Sequence, residues 1–169
     1  PVVLEDIMII TKNGYGLRFN IEEVPVVGAK AAGVKAINLK DGDQVAAAFK
    51  SMTPSMYILT QRGSLKRMLQ DDIPVTSRAK RGLQVLRELK NKPHRVFKAG
   101  PVFTDQGDFD LFTSQEEVAE QDQILQITST TGQVTEVDLT QLSISERTSN
   151  GSFVNDSISD QEVFSATIK

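Results

Sequence analysis

The chain has 169 residues with 19 Lys plus Arg against 22 Asp plus Glu, a formal net charge of −3, and this is enough for one ordinary domain or a short array of small units. Zero cysteines exclude disulfides, thiol nucleophiles and Cys-ligated zinc, and a single histidine excludes most His-based metal and catalytic arrangements. The longest apolar run, residues 45–49, is far short of the roughly 18 residues a membrane helix needs, so a soluble, intracellular chain without a membrane partner is expected. The small net charge conceals an asymmetry: residues 1–100 hold 17 basic and 9 acidic side chains, whereas residues 101–169 hold 2 and 13. A basic half of this size keeps a nucleic-acid partner open. The opening Pro1-Val2-Val3 lacks an initiator Met and reads as a piece of something longer.

In chain order, residues 7–11 form an apolar, β-branched run, Lys12-Asn13-Gly14 makes a turn in which glycine can take positive φ, and residues 15–20 return as a second strand. Residues 21–25 read as one helical turn closed by Pro25, and a loop over residues 28–33 follows. A second hairpin is expected from residues 34–39 and 44–50 around Asp41-Gly42-Asp43. Ile7, Met8, Ile9 and Ile10 are apolar on both faces, which suits an inner strand sandwiched between neighbouring sheets.

The pattern then repeats. Residues 56–68 align with residues 7–19 at a spacing of 49, placing Thr60 on Thr11, Gly63 on Gly14, Arg67 on Arg18 and Gly82 on Gly33. A third copy begins at Ile124, 69 residues further on, with Gly132 on Gly63 and Gly151 on Gly82. The expected units are therefore residues 6–51, 55–100 and 124–169, the last divergent. Between them, residues 101–123 carry seven acids and no Lys, Arg or His, and read as an exposed acidic insertion with a short helix over residues 115–121. Four strands per copy suggest an all-β propeller-like blade, and three blades make only part of a disc.

The functional signal is the basic set Arg18, Lys30, Lys35, Arg62, Lys66, Arg67, Arg78, Lys80, Arg81 and Arg87, which equivalent repeat positions would present along one rim to a phosphate backbone. Without Trp and with two Tyr, the chain lacks the stacking platforms of single-strand binders, so duplex is the better fit. Copy three has Glu136 where the others have Arg18 and Arg67, and no DNA contact is expected from it. Residues 28–33 have the outline of a phosphate loop, but Val34-Lys35 follows in place of Lys and Ser or Thr. The acids at 105, 108, 110 and 116 have the wrong spacing for calcium. His94, in a turn, is expected at the surface, and Tyr15 and Tyr57 are expected to pack.

The copies, in particular TKNGYGLR followed by EEVP, then GAKAAGVKAINL and KDGDQV, resemble the C-terminal repeats of the A subunits of bacterial type II topoisomerases. The resemblance covers residues 6–100 well and residues 124–168 weakly. It implies a β-pinwheel, a disc of four-stranded blades that exchange strands and whose basic rim binds and bends duplex DNA. The gyrase box Gln-Arg-Arg-Gly-Gly-Arg-Gly is absent from the matching residues 27–33 and 76–82, which favours the topoisomerase IV branch over a gyrase wrapping domain. By the same resemblance, the domain would position DNA for ATP-dependent strand passage, in decatenation and supercoil relaxation. Catalysis, magnesium and ATP would belong to other parts of the parent, a cytoplasmic, nucleoid-associated A-subunit dimer working with an ATPase B subunit. No catalytic or metal residue is expected in this chain. A protein-interaction propeller is the alternative.

Overall fold

The computed structural model describes residues 5–103, 123–154 and 162–169. Three antiparallel-dominated sheets follow the three copies. In the first, β1 (Asp6–Thr11) lies between β2 (Tyr15–Asn20) and β3 (Val45–Lys50). The second places β4 (Ser55–Thr60) between β5 (Ser64–Leu69) and, after the short strands β6 (Val75–Thr76) and β7 (Leu83–Gln84), β8 (Val96–Val102). In the third, β9 (Ile124–Ser129) is flanked by β10 (Val134–Asp138) and, beyond β11 (Ser152–Phe153), β12 (Val163–Ile168). Pro101 and Val102, expected in the exposed insertion, belong to β8, with Val102 fully buried. The helix expected over residues 115–121 lies outside the described residues.

The recurring Thr and Gly of each copy build the same turn. Thr11 Oγ1 accepts from the Tyr15 amide at 3.1 Å and Thr60 Oγ1 from Ser64 at 3.2 Å, while Ser129 Oγ takes the same place under Gln133 at 3.2 Å. Gly14, Gly63 and Gly132 close these turns at φ of 86°, 82° and 85°, a region open to glycine at little cost. Each return strand then runs into one 3₁₀ turn, at Ile21–Glu23, Gln70–Asp72 and Leu139–Gln141.

Beyond that turn the chain leaves its own sheet. β6 pairs in parallel with β2 (Arg18 opposite Val75) and β7 pairs antiparallel with it (Gly16 opposite Leu83), so the second copy completes the first sheet. The third copy completes the second through a parallel bridge of Ile144 to Arg67 and the pairing of β11 with β5. This exchange corrects the expected hairpin. Residues 34–39, whose first two positions match β7 at the spacing of 49, form no strand, and β3 pairs with β1 in place of them.

Burial explains the apolar patterning. Every residue of β4 is buried: Met56 and Ile58 face the first sheet with Met8 and Ile10, whereas Tyr57 and Leu59 face the third with Leu125 and Ile127. The central sheet is sandwiched, so its inner strand is apolar throughout. Among the described residues β9 packs against the central sheet through one face, with Leu125 and Ile127, and its positions alternate buried with half-buried. On the outer face of the first sheet, Ile9 is covered with Leu17, Phe19 and Ile37.

Candidate nucleic-acid interface

The crossing segments run side by side at the outside of the array. The Ala79 amide donates to the Ala36 carbonyl at 2.9 Å and the Asn38 amide to the Lys80 carbonyl at 2.8 Å, joining the outer loop of copy one to that of copy two. Arg78 fastens the same seam: its Nη1 donates to the Lys35 carbonyl, its Nε to the Glu23 carbonyl at 3.2 Å, and its amide to a Glu23 carboxylate oxygen at 2.5 Å. Lys30, Lys35, Lys80 and Arg81 are all exposed on the loops so joined. Arg87 is exposed on the next stretch, where its amide donates to Asn150 Oδ1 at 2.8 Å. Six of the ten expected residues therefore belong to these outer segments, five as exposed cations and Arg78 as the staple beneath them.

The other four are held inside. Arg18, 15% exposed, pairs with Asp6 at 3.1 Å and Asp71 at 2.9 Å and reaches the Gln70 carbonyl at 3.4 Å. Arg67 donates to Ser55 Oγ at 2.8 Å, the Thr140 carbonyl at 2.9 Å and the Leu142 carbonyl at 3.4 Å. These two arginines, the strongest repeat signal among the basic residues, clamp the 3₁₀ turn of the following copy onto the sheet of their own. Arg67→Ala is expected to cost about 2–3 kcal/mol by leaving main-chain carbonyls without their charged donor, measured by urea unfolding; an unchanged midpoint would refute the clamp. Arg62 donates to the Lys92 carbonyl at 2.6 Å and to His94 Nε2 at 3.2 Å, and lies 5.7 Å from the Phe153 ring centroid.

Lys66 is the most enclosed of the set, only 2% exposed. Its Nζ donates to the carbonyls of Val85 at 2.5 Å, Arg147 at 2.6 Å, Ser149 at 2.8 Å and Glu146 at 3.3 Å. Burial first, and the Arg147 guanidinium second, pull its pKa down to about 7, against an opposing pull from Asp72. A side chain in this cage is not available to a ligand, and Lys66 lies outside the candidate interface. Burial likewise pushes the Tyr57 hydroxyl up to about 12.

His94 is not at the surface. It is 6% exposed, with Nδ1 3.0 Å from Thr60 Oγ1, because the turn of residues 91–95 folds inward over the Thr60 end of β4. Glu136 is exposed on β10, which is an edge strand among the described residues, and bonds from Lys169 and Gln126 hold its carboxyl below the usual range. Arg147 was not among the residues expected from the sequence, yet its Nη1 donates to the Gln84 carbonyl at 2.6 Å just as Arg78 donates to that of Lys35. The signal was present: at the spacing of 69, Arg147 aligns with Arg78. Among the described residues no group of three or more His, Cys, Asp or Glu is gathered to hold a metal, and no helix is long and apolar enough to cross a membrane.

A sheet array of this kind, completed by strands from the next copy, defines a class. The chain belongs to the family described as DNA gyrase C-terminal domain, beta-propeller, whose model matches residues 5–51 and 55–102. It is 60% identical over 98% of its length to the A subunit of DNA topoisomerase 4 from Streptococcus pyogenes serotype M3, and 57% identical over 100% of its length to that from Streptococcus pneumoniae serotype 4. It spans 20% of each of those proteins. Among solved structures, the C-terminal domain of DNA topoisomerase IV superposes with a TM-score of 0.77 at 32% identity, over 98% of this chain and 46% of that one.

Proposed function

We propose that this chain binds and bends duplex DNA as part of the C-terminal domain of a topoisomerase IV A subunit, positioning a segment for strand passage catalysed elsewhere in the enzyme. The observation that carries the reading is the seam between the outer loops, which sets Lys30, Lys35, Lys80 and Arg81 along one edge built from two copies. Cations on a shared edge suit the closely spaced phosphates of a duplex, and loop residues without exposed aromatics favour backbone contact over base reading. In this reading the chain has no catalytic residue of its own. Magnesium and ATP act in other parts of the parent, a cytoplasmic, nucleoid-associated A-subunit dimer with an ATPase B subunit.

Binding of a fluorescent duplex of about 40 base pairs across a salt series tests the reading. The wild type should show a steep negative slope of log affinity against log salt. In Lys80→Ala/Arg81→Ala the slope should become shallower by roughly one unit per lost phosphate contact. Lack of binding at low salt would refute the reading and favour a protein partner.

A further inference from the structure

The carbonyl cage around Lys66 and the staple made by Arg147 meet on two consecutive residues of one strand end. Lys66 Nζ takes the Val85 carbonyl at 2.5 Å, and Arg147 Nη1 takes the neighbouring Gln84 carbonyl at 2.6 Å. The two cations are joined a second way, because Lys66 Nζ also takes the carbonyl of Arg147 itself at 2.6 Å. Strand exchange is what brings them together: Lys66 belongs to β5 of the second copy, whereas Arg147 arrives on the segment that the third copy lays across it. The arrangement is particular to this junction, since the position of Lys66 is held by Leu17 in the first copy and Thr135 in the third.

Arg147 is half-buried, and among the described residues its guanidinium makes one hydrogen bond. A guanidinium has five N–H donors, so four are left in the planar fork that suits a phosphate. Arg87, two residues beyond Val85, is exposed, and its amide donates to Asn150 Oδ1 on the segment that carries Arg147.

We propose that Arg147 is a phosphate-binding residue of the DNA edge and that a backbone phosphate held there is coupled to protonation of Lys66 beneath it. The proposal rests on the DNA-binding reading and carries it past the second copy, onto a residue of the third that exchange has placed on the second sheet. The coupling is electrostatic. Free Arg147 and the Lys66 ammonium repel each other; a phosphate on Arg147 cancels that repulsion, and Lys66 takes up a proton from solvent. The other charged group that acts on the cage is Asp72 on the 3₁₀ turn, which already favours the ammonium, while Glu146 enters it through its main-chain carbonyl. By reciprocity, a proton that binds better in the complex makes the complex tighter at lower pH.

The test is calorimetric titration of the duplex into this chain at pH 7 in two buffers of different ionisation enthalpy, together with affinity measured between about pH 6 and 8.5. The expected result is uptake of a fraction of a proton per complex and affinity about three- to tenfold higher at the acid end. Arg147→Gln should remove both effects, as should Lys66→Met. Should Lys66→Met fail to fold, the titration of the Lys66 side chain, followed by carbon NMR in the free proteins, replaces it: its midpoint should lie higher in Arg147→Gln than in the wild type. Binding without proton uptake, uptake that persists in Lys66→Met, or a Lys66 midpoint unmoved by Arg147→Gln would each overturn the proposal alone. Absence of binding at any pH would overturn the DNA reading with it.

Discussion

Gly82→Ala is expected to unfold the first junction at a cost of about 4 kcal/mol or more, whereas Gly33→Ala, at the same place in its copy, should cost about 1 kcal/mol. Both glycines have positive φ, 89° and 86°, so both alanines bear the same left-handed strain. The surroundings differ. A Cβ on Gly82 would overlap the Gly16 carbonyl oxygen and press on the Leu17 amide, main-chain atoms of β2 fixed by the ladder with β1. A Cβ on Gly33 would meet nothing within 4 Å. Urea unfolding of the two variants reads the difference, and equal losses would show that the crossing strand does not lie against β2 as described. Gly151, whose Cβ would overlap the Leu65 carbonyl oxygen, should behave like Gly82.

The stability of the wild type is expected to rise with pH between about 7 and 9.5, and that rise should be lost in Lys66→Met. In the unfolded chain the lysine titrates near its ordinary value of about 10.4; in the fold burial and Arg147 bring it to about 7. Below both values it is protonated in either state and contributes no slope. Between them the unfolded chain binds the additional proton, so each unit of rising pH favours the fold by up to about 1.4 kcal/mol. The Tyr57 hydroxyl, raised to about 12, acts in the opposite sense but only above about pH 10, where the folded chain holds the extra proton. Urea unfolding at pH 6.5 to 9.5 separates the two, and a Lys66→Met slope equal to that of the wild type would refute the assignment.

The copies were legible because their turns need particular residues: Thr or Ser to receive an amide and Gly to take positive φ, at Thr11 and Gly14, Thr60 and Gly63, Ser129 and Gly132. The inner-strand pattern was legible in Ile7, Met8, Ile9 and Ile10, which have no polar face to give to water, and β4 of the second copy is the strand that is buried throughout. The roles of the basic residues were harder to read. Arg18 and Arg67 recur, and recurrence says that two residues do the same work without saying whether that work is a clamp or a ligand contact. The residues they hold, Asp71 and Thr140, come from the next copy and lie 53 and 73 positions away. Lys66 looked like one more surface cation because nothing local signals that a loop 80 residues downstream encloses it.

From its sequence alone, then, the chain declares an all-β repeat, strands of known polarity pattern and a basic half beside an acidic one, because backbone conformation and solvent preference act over a few residues. Which cations face solvent, which copy completes which sheet, and that Arg147 of the third copy stands on the second were decided by the tertiary structure. The reason is physical: a strand edge accepts any chain that offers amides and carbonyls in register, and only packing, through Gly82 and Gly151 lying close against β2 and β5, selects the one that arrives.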